Sequence, residues 1–303
     1  MALIDRHPQI EDYFVELTLT EVANRGGIAD LFEEGHVILL KDFRLNFDFA
    51  ALAVLSKSTR SVSDPAARKK LKKMTAPLFF AGEEPTNRWG RLIFKDPIRQ
   101  MIYDTICRGD KDLFRGASRA LNSAHCELLR LFELCFPDYE TFRLVPSMRL
   151  TQTLFENLHW DNHSIDDDFH QARIFANLDT RPRIWHLGHR FPDWVRMHYQ
   201  EYDLGRFAGK DPNLLIDFAT GEILGGTHKT WMDNEPRHRI AFEPGEVWLA
   251  ESRLVSHQVY YGEAAMVYMW FVDPDSMSNP DNRFNARIER VHREMQDTPI
   301  AAA

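Results

Sequence analysis

Between residues 141 and 275 the chain is cut into short β-rich runs, and this cadence restricts the fold more than any other feature. "FRLVPSMRLTQTLF", "ARIFANLD", "PRIWHLG", "HRIAFEPG", "EVWLAES", "HQVYYG" and "AAMVYMWFVD" follow one another, separated by turn residues. Such density of short strands predicts a double-sheet antiparallel roll. The first half has another texture. "GIADLFEEG" reads as a helix with a glycine stop, "HVILLKDF" as a buried strand and "FDFAALAVLSKS" as a second helix. In "DKDLFRGASRALNSAHCELLRLFELCFPD", Leu113, Ala117, Leu121, Ala124, Leu128 and Leu131 share one helical stripe, and Pro137 ends it. The expected fold is therefore mainly β with flanking α-helices, built on a double-stranded β-helix (jelly-roll) core. One domain spans 1–303: residues 1–140 are mostly helical support, 141–275 the roll, and 276–303 a C-terminal helix or tail. Residues 190–235, charged, aromatic and weakly periodic, read as a long connection.

The composition narrows the function classes. A formal net charge of −8 over 303 residues argues against a general nucleic-acid binder. No apolar run approaches the roughly 20 residues that span a bilayer. The start, "MALIDRHPQIEDYF", lacks the layout of a secretory signal, so a cytoplasmic protein is expected. Cys107, Cys126 and Cys135 form no CxxC, and the last two, in a helical pattern, read as small buried thiols. The basic run "RKKLKK" at 68–73 reads as a solvated helix face, with recruitment of an anionic substrate or surface as the sharper alternative.

The chemistry concentrates in "ENLHWDNHS", residues 156–164, where His159 and Asp161 stand two apart after a strand-like segment. On extended backbone, positions i and i+2 share a face, so both side chains can reach one ion. The other two matches to this spacing, His125-x-Glu127 and His292-x-Glu294, lie in helical patterns that turn the pair to different faces. A second histidine is expected at His257, in "FEPGEVWLAESRLVSHQVYYG", on a strand that can pair near the H-x-D. His228, after a flexible Gly225-Gly226, and His238, between two arginines, compete with it. Two histidines and one carboxylate leave half an octahedron open, the arrangement of non-haem Fe(II) oxygenases. Two readings stay open beside it. One is a metal cupin of other chemistry, with His163 or His238 as further ligands; the other is a non-catalytic ligand-binding roll.

From about Phe142 to Pro274 the sequence resembles the Fe(II)/2-oxoglutarate-dependent oxygenases. Within them it looks most like the hydroxylases of 3-deoxy-D-manno-octulosonic acid (Kdo). The stretches that carry this are "LHWD", "ARIFANLDTRPRIWHLGHRFPDW" and "FEPGEVWLAESRLVSHQVYYGEAAM". The resemblance implies Fe(II) on His159, Asp161 and His257, with 2-oxoglutarate and O2 as cosubstrates and a small molecule as substrate. It also implies a cation for the distal carboxylate of 2-oxoglutarate. The strand after His257 offers none, so Arg149, ten positions before His159, is expected in that role, with Arg173 as the alternative. Related halogenases have a small residue in place of the carboxylate, so Asp161 implies hydroxylation or an allied oxidation such as desaturation.

Overall fold

The chain enters through β1 (Leu3–Asp5), β2 (Phe14–Leu17) and β3 (Val37–Arg44), with helices α1 (Leu19–Arg25) and α2 (Ala29–Glu33) between the last two. These coordinates are a computed structural model that describes residues 2–72, 74–75, 91–92, 94, 96–150, 153–154, 156–162, 169–226 and 235–297. Helix α1 starts where a capping box forms: Thr18 accepts from the Glu21 amide while the Glu21 side chain accepts from Thr18. It stops at Gly26, whose φ of 74° suits a residue without Cβ. Helices α3 (Phe49–Arg60) and α4 (Pro65–Lys72) precede β4 (Met74–Thr75), and α5 (Asp96–Met101) precedes the long α6 (Lys111–Cys135). The basic run falls on α4 up to Lys72; its side chains from Lys69 on, and all of Lys73, lie outside the described residues.

The roll follows as β5 (Thr141–Arg149), β6 (Thr153–Leu154), β7 (His170–Asn177), β8 (Arg183–Arg190), β9 (His238–Phe242), β10 (Glu246–Leu249), β11 (Val255–Gly262) and β12 (Ala265–Val272). Helices α7 (Phe191–His198) and α8 (Pro212–Asp217) lie between β8 and β9, and α9 (Phe284–Asp297) closes the described chain. One sheet runs β1-β9-β8-β11-β6 and the other β2-β3-β10-β7-β12-β5-β4. Pairing is antiparallel except between β2 and β3. The jelly-roll expectation matches this two-sheet core. The segment before residue 45, part of a half read as mostly helical with one or two strands, supplies β1 to one sheet and β2 and β3 to the other.

Period-two alternation divides each strand of the larger sheet between two environments. On β12, Met266, Tyr268 and Trp270 join the core under the helices, whereas Ala265, Val267 and Met269 face a cavity between the sheets. The stripe of α6 meets the first set: Trp270 stacks on Phe132 with centroids 4.0 Å apart. Full burial of such side chains is worth about 2–3 kcal/mol each. Cys135 lies on this stripe and is buried, but Cys126 is exposed, against expectation. Two residues beyond Ala124, it points to the far side of the helix. Between the sheets a second core holds Phe175, Trp185, Phe242 and Trp248, the last two stacked at 3.7 Å.

The stretch read as a long connection is helical over much of its described length. In α7, Phe191, Trp194 and Val195 are buried, and in α8 Leu215 and Ile216 are. Each helix is too short for its period to stand out in sequence. Among the described residues no helix is long and apolar enough to cross a membrane.

Candidate metal centre and its cavity

His159 lies on extended backbone that continues the edge of the smaller sheet beyond β6. The Glu156 amide donates to Val259 O, and His159 and His257 then exchange both backbone hydrogen bonds, N to O, at 3.1 and 2.9 Å. The two histidines are thus direct cross-strand neighbours, with ring centroids 4.4 Å apart. Asp161, two residues on, is tethered by its amide to Ser252 O at 2.9 Å. One ligand atom from each of His159, Asp161 and His257 lies within 4.8 Å of the others. His159 Nε2 is 3.7 Å from Asp161 Oδ1, and His257 Nε2 is 3.7 Å from Oδ2.

The hydrogen bonds behind the rings favour a metal. His159 Nδ1 is 2.8 Å from the carbonyl of Asn157, and His257 Nδ1 is 3.3 Å from that of Val255. A carbonyl only accepts, so each Nδ1 carries a proton and each Nε2 faces the space shared with Asp161. Burial, helped by the neighbouring His159, pushes His257 down to about 4 against the opposing pull of Asp161. Its imidazole is neutral, the ligating form, at ordinary pH. These donors fit a divalent cation that accepts imidazole and carboxylate.

The other histidines weighed from the sequence, where described, are engaged elsewhere. His238 Nδ1 accepts from the His7 amide at 2.9 Å, and the ring packs edge-on to Tyr13 and Phe14. His125 shares a hydrogen bond with Tyr268 Oη, and His292 one with Tyr199 Oη. His163 and His228 lie outside the described residues.

The three ligand residues open on a cavity of about 250 Å³ between the sheets. Val145, Phe175, Trp185, Val259, Val267 and Met269 form its apolar wall, and Trp185 stacks on His257 at 5.1 Å. Three arginines also line it, in different states. Arg149 Nη1 meets Glu156 Oε1 at 2.6 Å. Burial acts to raise the Glu156 carboxyl, but Arg149, His159 and His257 together outweigh it and hold it below the ordinary carboxylate range. Arg173 donates to Asp161 and Ser252. Both residues expected as cosubstrate anchors therefore lie in the cavity wall with carboxylate partners of this chain.

The third, Arg183, was read only as part of the strand "PRIWHLG". It opens β8, on the face that carries Trp185 two positions on, and is 3% exposed. Its Nε and Nη1 have no hydrogen-bond partner among the described residues. Burial, with repulsion from Arg149, lowers it to about 9 despite Glu156 and Asp179. Gly262 makes room for it: a Cβ there would stand 2.9 Å from Arg183 Cγ and nearer still to Nη1. An arginine preceding an alternating strand was the one signal available in the sequence, and such a signal is weak without the fold.

Neither a protein-family model nor a curated protein sequence matches the chain. Solved structures do. The Kdo hydroxylase KdoO, a non-haem Fe(II) alphaketoglutarate-dependent dioxygenase, matches in its cobalt(II) complex with a TM-score of 0.56 and 14% identity, over 96% of this chain and 98% of that one. Its complex with alphaketoglutarate and Fe(III) gives the same values, and its apo form a TM-score of 0.55 at 14% identity over 92% and 96%. At nearly full length on both sides, this chain shares the double-stranded β-helix fold of that dioxygenase.

Proposed function

We propose that the protein is a non-haem Fe(II)- and 2-oxoglutarate-dependent oxygenase. In this reading it hydroxylates or desaturates an unactivated C–H bond of a small molecule such as a sugar acid, an amino acid or a natural-product intermediate. One observation carries the reading. Two imidazoles with Nδ1 committed to backbone carbonyls and one carboxylate converge at a cavity that also holds a buried arginine with unmet donors. Unmet guanidinium donors in a largely apolar wall are costly unless a ligand supplies the carboxylate. Arg183 is therefore assigned the distal carboxylate of 2-oxoglutarate, and Arg149, held by Glu156, the flanking wall.

His159, Asp161 and His257 would hold the ion. The chemistry a bound ferrous ion supplies is activation of dioxygen, coupled to conversion of 2-oxoglutarate into succinate and carbon dioxide. The chain's own part is to orient and to exclude water. The carbonyls of Asn157 and Val255 fix the tautomers, and Trp185 restrains the His257 ring. The apolar wall keeps the space dry, as oxidation of an unactivated bond demands.

The test is anaerobic loading with Fe(II) and 2-oxoglutarate, watched for the visible charge-transfer band of the chelate. Aerobic screening of small acids, sugars and amino acids for succinate release then follows. The band should form in the native protein and vanish in His159→Ala. Turnover that survives His159→Ala, or metal-dependent activity that needs no 2-oxoglutarate, would end the proposal.

A further inference from the structure

We infer that Arg173 is a positioning residue, which holds Asp161 in its ligating orientation instead of gripping a bound acid. The inference rests on the metal centre proposed above and concerns how this chain builds it. Asp161 sits on irregular backbone with its side chain a quarter exposed. Packing alone does not fix such a carboxylate. Arg173 has the opposite setting: it is 3% exposed on β7, between β10 and β12 in the middle of the larger sheet.

Its guanidinium reaches three elements at once. Nη1 donates to Asp161 Oδ2 and to Ser252 Oγ. Nη2 lies 3.1 Å from Gln171 Oε1 and 3.2 Å from Met269 Sδ. Ser252 closes the arrangement, because its carbonyl accepts the Asp161 amide at 2.9 Å. The backbone and the side chain of Asp161 are thus both referred to the 250–254 turn, and through Arg173 to a central strand. A planar fork suits this, since its two Nη atoms serve partners on different sides; a lysine offers one nitrogen. Outer partners of this sort orient metal-binding carboxylates, and their loss typically costs about 10–100-fold in affinity.

A purely structural ion pair predicts something different. Removing a cation from beside a dication site would then leave metal binding unchanged, or tighten it by relief of repulsion. The experiment is a titration with Co(II) alone, read by its visible ligand-field bands, on the native protein, Arg173→Met, Arg173→Lys, Ser252→Ala and His159→Ala. Melting of each metal-free protein is followed in parallel. Arg173→Met is expected to weaken Co(II) binding by about 10–100-fold and to alter the bands. Arg173→Lys should recover part of this, and Ser252→Ala should shift both readouts the same way by less. Equal or tighter binding with unchanged bands in Arg173→Met overturns the inference. If that variant does not fold, native binding by Ser252→Ala overturns it. A native protein that takes up no Co(II), or binding untouched by His159→Ala, removes the metal centre itself and is distinguishable from failure at Arg173 alone.

Discussion

Two of the arginine-lined clefts in this molecule differ in what the arginines have to hold. The groove beside α7 and α9, about 550 Å³, is lined by Arg190, Arg196, Arg287 and Arg290. There Arg190 pairs with Glu11 and Asp193, and Arg196 with Asp193 and Glu294. Arg287 and Arg290 donate to the carbonyls of Asn282 and Asp281. The cavity between the sheets is smaller, about 250 Å³. Yet among the described residues it is there that a buried guanidinium retains unmet donors beside a cluster of metal-ligating groups. Residue type does not separate the two places; pairing does. A satisfied surface network belongs to the fold, whereas a buried charge without a partner points to a ligand that is not part of the chain.

Arg183→Leu tests this contrast most severely. If Arg183 grips the keto acid, the half-saturating concentration of 2-oxoglutarate should rise roughly several-hundredfold, about 3–4 kcal/mol for a buried charge pair. Co(II) affinity should stay unchanged, and the ligand-free protein should melt no lower than native, because a buried guanidinium with two donors unmet among the described residues has been removed. Unchanged saturation by 2-oxoglutarate would put the cavity in the same class as the groove.

Glu251 feels both sets of arginines. Burial pushes its carboxyl up to about 7, opposed by Arg253, by Arg287 of the groove and by Arg173 of the cavity. Its folded value lies above the ordinary 4.5, so the neutral form is the one favoured by folding. The associated stability is present below about pH 4.5 and is lost as pH rises through about 7, on the order of 3 kcal/mol. Denaturant unfolding at pH 5 and pH 8 should therefore show a larger fall for the native protein than for Glu251→Gln. Equal falls would mean that the arginines already neutralise it. The smallest effect belongs to the groove: Arg196→Ala should cost under about 1 kcal/mol and leave 2-oxoglutarate saturation unaltered. A defect in turnover there would erase the distinction.

What could be read from the sequence follows the same division. His159, Asp161 and His257 were legible in part. The second histidine was expected on a strand running beside the H-x-D, and His257 does bridge His159, with Asp161 two residues on. Pro244-Gly245, where Gly245 takes φ of 78°, instead turns between strands of different sheets and not within a pair. The roll was legible from alternation, and Met269 against Tyr268 and Trp270 shows that alternation at work, although which face held the cavity was not. Arg183 was hidden because its meaning depends on Gly262 leaving space and on no carboxylate among the described residues reaching its Nε and Nη1. Arg149 and Arg173 had the right residue type, but their partners, Glu156 and Asp161, are set by register between segments. The helices between β8 and β9 escaped notice because their apolar faces span only a turn or two.

The bridge between residues 159 and 257 has a mechanical corollary. Two donor side chains hang from a single rung where the strand edge runs out, so a cation clasped by both would act as a staple across a seam whose sides are remote along the chain. Filling the centre should then slow deuterium uptake at the amides of His159 and His257 more than at those of β9. Occupancy could thus be followed through the backbone in the dark, with no substrate and no turnover.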